Sequence, residues 1–241
     1  MQAIILCGGL GTRLRKVINE VPKPMAPIHG KPFMQILVDN LVNAGVNKIV
    51  FAVGYKKEII KDFFGDNYKN VAMIYSEEDH PLLTGGAMKQ ALQYIDEDDA
   101  LILNGDCYLD LDYRKIYLQH KKSNATETMA VKPMYNFDRY GNVIMNEDGQ
   151  IIEFREKEPT PFGHANVGVY VVKKDIFNNY EEQLGNEFSH EVDYVTKHIN
   201  DEKIYGYIHK GYFIDIGIPE DYFSFCDYVK KQKQKDTELE R

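Results

Sequence analysis

The stretch Ala3-Ile4-Ile5-Leu6-Cys7-Gly8-Gly9-Leu10-Gly11-Thr12-Arg13-Leu14 leads from an apolar segment directly into a glycine-rich loop. The apolar run at residues 3–6 predicts a buried first strand, and a parallel sheet binds its ligands at the carboxyl ends of its strands. Glycines let the backbone turn tightly with its N–H groups facing an anion. The loop is neither a Walker loop, which ends in Gly-Lys-Ser/Thr, nor a dinucleotide fingerprint, which has glycine where Leu14 stands. It therefore predicts a phosphate site of another kind.

Two cations accompany this loop. Arg13 lies within it, and Lys23 follows in the sequence Pro22-Lys23-Pro24-Met25. Prolines on both sides restrict the backbone of Lys23 and would aim its ammonium group. Fixed positive charges beside glycine N–H groups suit a polyphosphate. An arginine that caps a surface loop and a solvated lysine in a rigid loop are the alternatives.

Strand-like and helix-like segments alternate along the first half of the chain. This alternation predicts an α/β fold, a Rossmann-like three-layer sandwich with a mostly parallel central sheet covered on both faces. The expected strands are residues 3–6, 48–53, 71–75, 100–103 and 128–131, and the expected helices are residues 33–44, 58–64, 86–94 and 113–121.

The pattern changes near Tyr140. Residues 142–145 and 151–154 flank Asn146-Glu147-Asp148-Gly149-Gln150, which indicates a hairpin with Asp-Gly in its turn. A smaller antiparallel lobe is expected to begin here. Further strands are expected at residues 165–172, 204–208 and 213–214, and helices at residues 191–199 and 220–233, followed by a frayed tail at residues 236–241.

Size and charge narrow the class of protein. A chain of 241 residues is expected to form one catalytic domain, residues 1–235, with halves at about 1–135 and 136–235. The net charge of −8 and the pI of about 5.4 argue against a nucleic-acid-binding surface. No run approaches the roughly 20 apolar residues of a membrane span. Three cysteines without metal-site spacing and the absence of a leader-like start favour a reduced, cytoplasmic protein that binds small molecules. A homo-oligomer is possible.

The segment LCGGLGTRLRKVINEVPKPMAPI, residues 6–28, resembles the signature of the sugar-1-phosphate nucleotidyltransferases. Five later segments resemble motifs of that family in the expected order, so the resemblance covers about residues 1–220. They are Leu83-Thr84-Gly85-Gly86-Ala87, Asn104-Gly105-Asp106, Phe154-Arg155-Glu156-Lys157, Asn166-Val167-Gly168 and Asp215-Ile216-Gly217-Ile218-Pro219. Within the family, residues 22–28 and 77–82 look most like guanylyltransferases that act on D-glycero-D-manno-heptose 1-phosphate, enzymes of capsule or lipopolysaccharide synthesis.

The resemblance implies a reaction between two anions. A sugar-1-phosphate oxygen attacks the α-phosphorus of a nucleoside triphosphate and expels pyrophosphate. The catalytic residues would be Arg13, Lys23, Asp106 and Asp215. Asp106 and Asp215 would hold Mg²⁺, which proteins bind through one or two carboxylates plus phosphate oxygens and water. Taken alone, each aspartate is more typical of a turn or a helix cap than of a metal site. Asp110 and Asp112 are nearby acidic alternatives, although they fit better at the start of a helix.

The remaining site residues divide between two subsites. Glu156 would bind a sugar hydroxyl and Lys157 the sugar phosphate, although both also fit an ordinary charged strand end. The sugar-phosphate set is Gly141, Glu156, Lys157, Asn166 and Gly168, and the nucleotide set is Leu6, Gly8, Gly9, Gly11, Thr12, Arg13, Glu78, Thr84, Gly85 and Gly86.

The choice of base stays open at this point. Guanine presents N1–H and N2–H donors that a carboxylate accepts as a pair, and Glu78 lies where the family reads its base. Glu77 and Asp79 compete for that role. The leading expectation is a GTP-dependent heptose-1-phosphate guanylyltransferase. Alternatives are a mannose-1-phosphate guanylyltransferase, a hexose-1-phosphate uridylyl-, thymidylyl- or cytidylyltransferase, and a nucleotide-sugar sensor without catalysis.

Overall fold

The central feature is one ten-stranded mixed sheet. It is seen in a computed structural model that describes residues 1–9, 11, 13, 14, 17, 18 and 20–239. The strands of this sheet are β1 (Gln2–Leu6), β4 (Lys48–Val53), β5 (Asn67–Tyr68), β6 (Val71–Glu77), β7 (Asp99–Asn104), β9 (Glu127–Phe137), β10 (Asn142–Met145), β11 (Ile151–Arg155), β12 (Thr160–Lys173) and β13 (Ile204–Ile208). The strand order β11-β10-β12-β7-β1-β4-β6-β5 is completed by β9, which pairs with β12, and by β13, which pairs with β9.

Helices cover both faces of the parallel part, β7-β1-β4-β6. The helices are α1 (Phe33–Asn43), α2 (Lys57–Phe64), α3 (Leu83–Leu92) and α4 (Tyr113–Ser123). Successive side chains of a strand point to opposite faces, so Ile5 of β1 packs in the core with α1, α2 and α4, whereas Ile4 packs on the other face with α3. This is the three-layer arrangement predicted from the sequence.

The chain changes direction across the sheet between β1 and β7. From β1 it moves outward to β4 and β6, and then returns to place β7 on the other side of β1. Leu6 and Asn104 are register partners at the carboxyl ends of these two strands. Such a switch point opens a crevice beyond the strand ends. The glycine loop and Asp106 follow directly after these ends.

The antiparallel strands extend the same sheet. β12 pairs with β9 along most of its length, and its other edge pairs with β10 in its first half and with β7 in its second half. The predicted hairpin is confirmed, since β10 and β11 pair antiparallel and Gly149 has a φ of 80° in the turn. The antiparallel part begins earlier than Tyr140, because β9 already pairs antiparallel with β12 from Glu127 onward.

Two small sheets and the last helix complete the crevice. β14 (Phe213–Asp215) pairs with β8 (Cys107–Leu109), and β2 (Pro27–Ile28) pairs with β3 (Lys31–Pro32). Helix α7 (Pro219–Leu239) packs Phe225 against Phe33 of α1, with ring centroids 5.2 Å apart. These contacts fix the segment that carries Asp215.

Several local structures differ from the sequence predictions. The helix expected at residues 191–199 is a π-helical segment, His190–Val195, continued by α6 (Thr196–His198), and α5 (Glu181–Leu184) precedes it. Helix α7 runs to Leu239, so residues 236–239 of the expected tail are helical. Fraying of that tail and the division into two halves stay predictions. No helix among the described residues is long and apolar enough to cross a membrane.

The docking of α7 can be tested by a matched pair of phenylalanines. Phe225 is fully buried, whereas Phe223 in the same helix is 55% exposed. We expect Phe225→Ala to lower the free energy of unfolding by about 3–5 kcal/mol, because it leaves a cavity between α7 and α1. Phe223→Ala is expected to change it by less than about 0.5 kcal/mol. Urea unfolding of both variants measures the difference, and equal effects would contradict the packing described.

Candidate active site

The crevice beyond β1 and β7 consists of two adjoining cavities. The larger, about 650 Å³, lies between the glycine loop and residues 78–87. The smaller, about 240 Å³, is lined by Gly9, Gly11, Arg13, Lys23 and Asp106 among others. Both are lined by Leu6, Gly9 and Asp106, so the two form one continuous site. A further cavity of about 660 Å³ lies where β7 begins, and its lining residues include none of those predicted to bind substrate.

Backbone pairing brings Asp106 and Asp215 together. Asp215 ends β14, and its register partner in β8 is Cys107, which directly follows Asp106. The N–H of Ile216 donates to the carbonyl of Asp106 at 3.0 Å, and the N–H of Gly217 donates to Asp215 Oδ1 at 2.7 Å. A carboxylate oxygen from each aspartate and the sulfur of Cys107 consequently lie within 4.8 Å of one another.

Lys23 lies between the two carboxylates. Its Nζ forms an ion pair with Asp106 and lies 3.7 Å from Asp215 Oδ1. Burial opposes the charged ammonium, but Asp106 and Asp215 outweigh it and raise the pKa of Lys23. Burial alone would raise the pKa of Asp106, but the Lys23 charge reverses this and holds it below its usual range. Burial and the negative charge of Asp106 raise the pKa of Asp215.

This donor set fits a hard divalent cation. Two carboxylates that point at a common position match the oxygen ligands of Mg²⁺. A cation between them would favour the ionised form of Asp215, against the effect of burial and Asp106. Cys107 is a poor third ligand because burial raises the pKa of its thiol well above the usual range, so it stays protonated.

Glu78 faces the larger cavity. Its N–H donates to the carbonyl of Val53 at 2.8 Å, and its Oε2 accepts from the N–H of Leu82 at 3.3 Å. A Cβ added to Gly8 would lie 2.6 Å from Oε1, so glycine leaves the room that this carboxylate occupies. Burial raises the pKa of Glu78. A carboxylate that is shielded from water and still has lone pairs free to accept hydrogen bonds suits a ligand with two neighbouring N–H donors.

The competing acidic residues are placed differently. Glu77 binds Lys57 and Lys61, with distances of 2.6 and 2.8 Å, and these hydrogen bonds lower its pKa to about 2. Its carboxylate is therefore engaged away from the cavity. Asp79 lines the cavity with Glu78 and stays an alternative base reader.

The start of α3 forms the opposite wall of the larger cavity. Thr84 and Leu83 line it. Leu83 has a φ of 61° and is half exposed, a strained apolar residue that the sequence did not single out. The N–H groups of Gly85 and Gly86 donate to the carbonyl of Phe188 at 2.9 and 3.2 Å, so these two glycines pack α3 against that segment. Their contact with nucleotide stays a prediction.

Residues predicted to bind the sugar phosphate approach the crevice from the antiparallel strands. The N–H of Asn166 donates to the carbonyl of Gly141 at 2.9 Å. Gly168, with a φ of 73°, lies directly against Asn104 at the end of β7. Glu156 and Lys157 are exposed and follow β11, whose last residue pairs with Asn142. This places them near Gly141, and their contact with substrate stays a prediction.

The remaining candidates are Arg13 and Thr12. Arg13 is exposed and lines the smaller cavity, its contact with a triphosphate stays a prediction, and Thr12 lies outside the described residues. Asp112 caps α4 by accepting from the N–H of Arg114 at 3.1 Å, which confirms the alternative considered for it.

Sequence reasoning missed Arg139. Its Nη2 lies 3.6 Å from Asp215 Oδ2, and its Nη1 donates to Asp221 at 2.5 Å. Among the described residues, its Nε and Nη2 lack hydrogen-bond partners. The turn before β10 gave no signal that its arginine reaches a carboxylate far along the chain. Arg139 adds a second positive charge beside the pair.

Known proteins resemble this chain over nearly its whole length. The model of the nucleotidyl transferase family matches residues 2–232. A D-glycero-alpha-D-manno-heptose 1-phosphate guanylyltransferase of Aneurinibacillus thermoaerophilus is 45% identical over 92% of this chain and 95% of its own. One of the same name from Campylobacter jejuni is 43% identical over 93% of this chain and 98% of its own. HddC from Yersinia pseudotuberculosis, crystallised in complex with GMP-PN, is 35% identical with a TM-score of 0.81, over 95% of this chain and 99% of its own. This chain belongs to the nucleotidyl transferase family.

Proposed function

We propose that this chain transfers a guanylyl group from GTP to D-glycero-D-manno-heptose 1-phosphate, releasing pyrophosphate and a GDP-sugar. The observation that carries the proposal is the Asp106–Lys23–Asp215 cluster beside the glycine loop at the switch point. The two relatives at 45% and 43% identity carry the name of this activity, which supports the choice of sugar and base.

The reaction depends on positioning and charge neutralisation and does not need a general base. A sugar-phosphate oxygen is already ionised near neutral pH, so the enzyme has only to hold two anions together and neutralise the charge that develops. Gly9, Gly11 and Arg13 line the smaller cavity, where the triphosphate would bind, and Lys23 supplies a largely buried charge beside them. Asp106 and Asp215 would hold Mg²⁺, which supplies positive charge at the α-phosphate when bound.

The sugar phosphate would enter from the antiparallel side. Gly168 lies beside Asn104 at the border of the nucleotide crevice and donates its N–H to Asn166, so a sugar phosphate held there would meet the α-phosphate near Asp106. Lys157 would bind its phosphate and Glu156 a hydroxyl.

The nucleoside would occupy the larger cavity, with Glu78 accepting from guanine N1–H and N2–H. We expect this reaction to take place in the cytoplasm, with possible assembly into a homo-oligomer.

A substrate matrix tests the proposed function directly. Purified protein with Mg²⁺, four triphosphates and several sugar 1-phosphates is assayed for pyrophosphate release. We expect release only when GTP, heptose 1-phosphate and metal are all present.

Asp106→Asn and Asp215→Asn should each lower turnover by roughly a hundredfold or more, the scale of one lost electrostatic contact to the transition state. Release without sugar phosphate, or near-normal turnover of both variants, would overturn the assignment.

Glu78 is expected to make GTP use sensitive to acid. Because burial raises its pKa, the carboxylate protonates at a higher pH than an ordinary glutamate, so the KM for GTP should rise as pH falls toward that range. Glu78→Gln should raise the KM for GTP at neutral pH and remove this pH dependence, since an amide presents donors to guanine donors. Glu77→Gln is the matched control and should leave the KM for GTP unchanged. Equal effects of the two variants would refute the role of Glu78.

Lys157 and Arg155 provide a test of the sugar-phosphate subsite. Both are exposed cations at the end of β11, but Arg155 pairs with Glu153 at 2.8 Å. Lys157→Ala is expected to raise the KM for sugar 1-phosphate about tenfold or more, the scale of a lost charged hydrogen bond. Arg155→Ala should not change it. Initial-rate kinetics with GTP held saturating measure both, and a rise in the KM for GTP alone would show that Lys157 binds the nucleotide instead.

A further inference from the structure

The half-buried side chain of Glu191 lies behind the active-site crevice, in the π-helical segment His190–Val195. Its Oε1 accepts from the hydroxyl of Tyr170 at 2.8 Å, and its Oε2 accepts from the hydroxyl of Thr84 at 3.0 Å. Burial opposes ionisation, but the nearby His190 and the hydroxyl donors outweigh it and hold the pKa of Glu191 below its usual range. π-Helical turns often occur at functional sites. Glu191 does not line either cavity of the crevice.

The first contact sets the orientation of Asn166. A tyrosine hydroxyl has one hydrogen, which Tyr170 donates to Glu191, so toward Asn166 it acts as an acceptor. Asn166 Nδ2 donates to it at 2.9 Å, and Asn166 Oδ1 accepts from the N–H of Gly168 at 3.0 Å. Both ends of the amide are therefore fixed. One hydrogen on Nδ2 and one lone pair on Oδ1 remain for a ligand hydroxyl.

The second contact fixes the wall of the nucleotide cavity. The Thr84 hydroxyl donates its hydrogen to Glu191 and accepts from the N–H of His190 at 3.0 Å. Thr84 lines the larger cavity at the start of α3. A single carboxylate thus holds one residue on the nucleotide side and, through Tyr170, one residue on the sugar side.

We propose that Glu191 is a positioning residue that couples the nucleotide and sugar subsites by fixing the hydrogen-bond direction of both arms, Tyr170–Asn166 and Thr84. The proposal rests on the function proposed above. Both arms require an acceptor, because each hydroxyl already accepts one N–H and donates its only hydrogen. A glutamine at this position would present a donor to one of the two hydroxyls and so reverse or break one arm.

A buried ion pair between His190 and Glu127 holds the π-helical segment His190–Val195 in place. His190 Nε2 and Glu127 Oε2 lie 3.1 Å apart, and both side chains are fully buried. Burial opposes the charged imidazole, but Glu127 outweighs it and raises the pKa of His190. The ring of Tyr170 packs edge-on against His190 with centroids 5.0 Å apart. The backbone that carries Glu191 is therefore anchored to β9 independently of the two arms.

Kinetics of Glu191→Gln and Tyr170→Phe test the coupling. We expect each to raise the KM for sugar 1-phosphate about tenfold or more, the loss of a charged hydrogen bond, with a smaller change in kcat. The double variant should lose less than the sum of the two single effects, because part of the effect of Tyr170→Phe passes through the Glu191 carboxylate that Glu191→Gln removes. Asp193→Asn is the matched control. Asp193 accepts from the N–H of Ser189 at 2.9 Å in the same segment but contacts neither arm. Additive effects, or an equal rise in KM in the control, would overturn the proposal.

A binding measurement separates this proposal from the proposed function. The side-chain amide resonances of Asn166, assigned by their loss in Asn166→Asp, are followed by NMR while each triphosphate is added with Mg²⁺ and without sugar phosphate. In the wild-type protein, the triphosphate that binds should shift these resonances. In Glu191→Gln the shift should be lost while that triphosphate still binds. A shift of equal size in both proteins refutes the coupling whether or not GTP is the substrate, and failure of the substrate matrix alone refutes only the function.

Discussion

The crevice depends on holding two like charges close together at the end of a parallel sheet. Asp106 and Asp215 are far apart in the chain and meet because β14 pairs with β8. Carboxylates this close raise each other's pKa unless positive groups surround them. Lys23 and Arg139 lie within ion-pair distance of Asp215, and the N–H of Gly217 donates to it. The positive groups come from widely separated segments, so the folded chain as a whole stabilises the pair.

The same edge of the sheet joins the two predicted subsites. β12 runs antiparallel to β7 with Val169 opposite Leu103, which places Gly168 beside Asn104. Gly168 has no side chain to separate the strands here, and its φ of 73° turns the backbone so that its N–H reaches Asn166. Strand β7 is therefore the border between the glycine loop on one side and the antiparallel strands on the other. Substrates held on either side of this border would meet at Asp106.

The sequence predicted the strands and the hairpin that local residue patterns determine. The strand at Lys48–Val53 and the hairpin strand Asn142–Met145 were found at their observed bounds, because apolar runs and an Asp-Gly turn are local signals. β8 was not predicted, because a strand of three residues is too short for a recognisable period, and it forms by pairing with β14, of which residues 213–214 were predicted. Arg139 and Glu191 were missed for a related reason. Their importance lies in contacts with residues distant in the chain, and an isolated arginine or glutamate carries no sign of its partner.

The adjacent residues Glu77 and Glu78 show how the fold resolves an ambiguity that composition leaves open. Glu77 is the last residue of β6, and successive residues of an extended chain point to opposite sides. One side faces α2, where Lys57 and Lys61 bind Glu77. The other side faces the glycine loop, where Gly8 leaves space for Glu78. Two chemically identical side chains therefore acquire opposite properties. Paired with lysines, Glu77 has its pKa lowered to about 2, whereas burial outweighs the N–H of Leu82 and raises the pKa of Glu78, whose carboxylate lines the larger cavity.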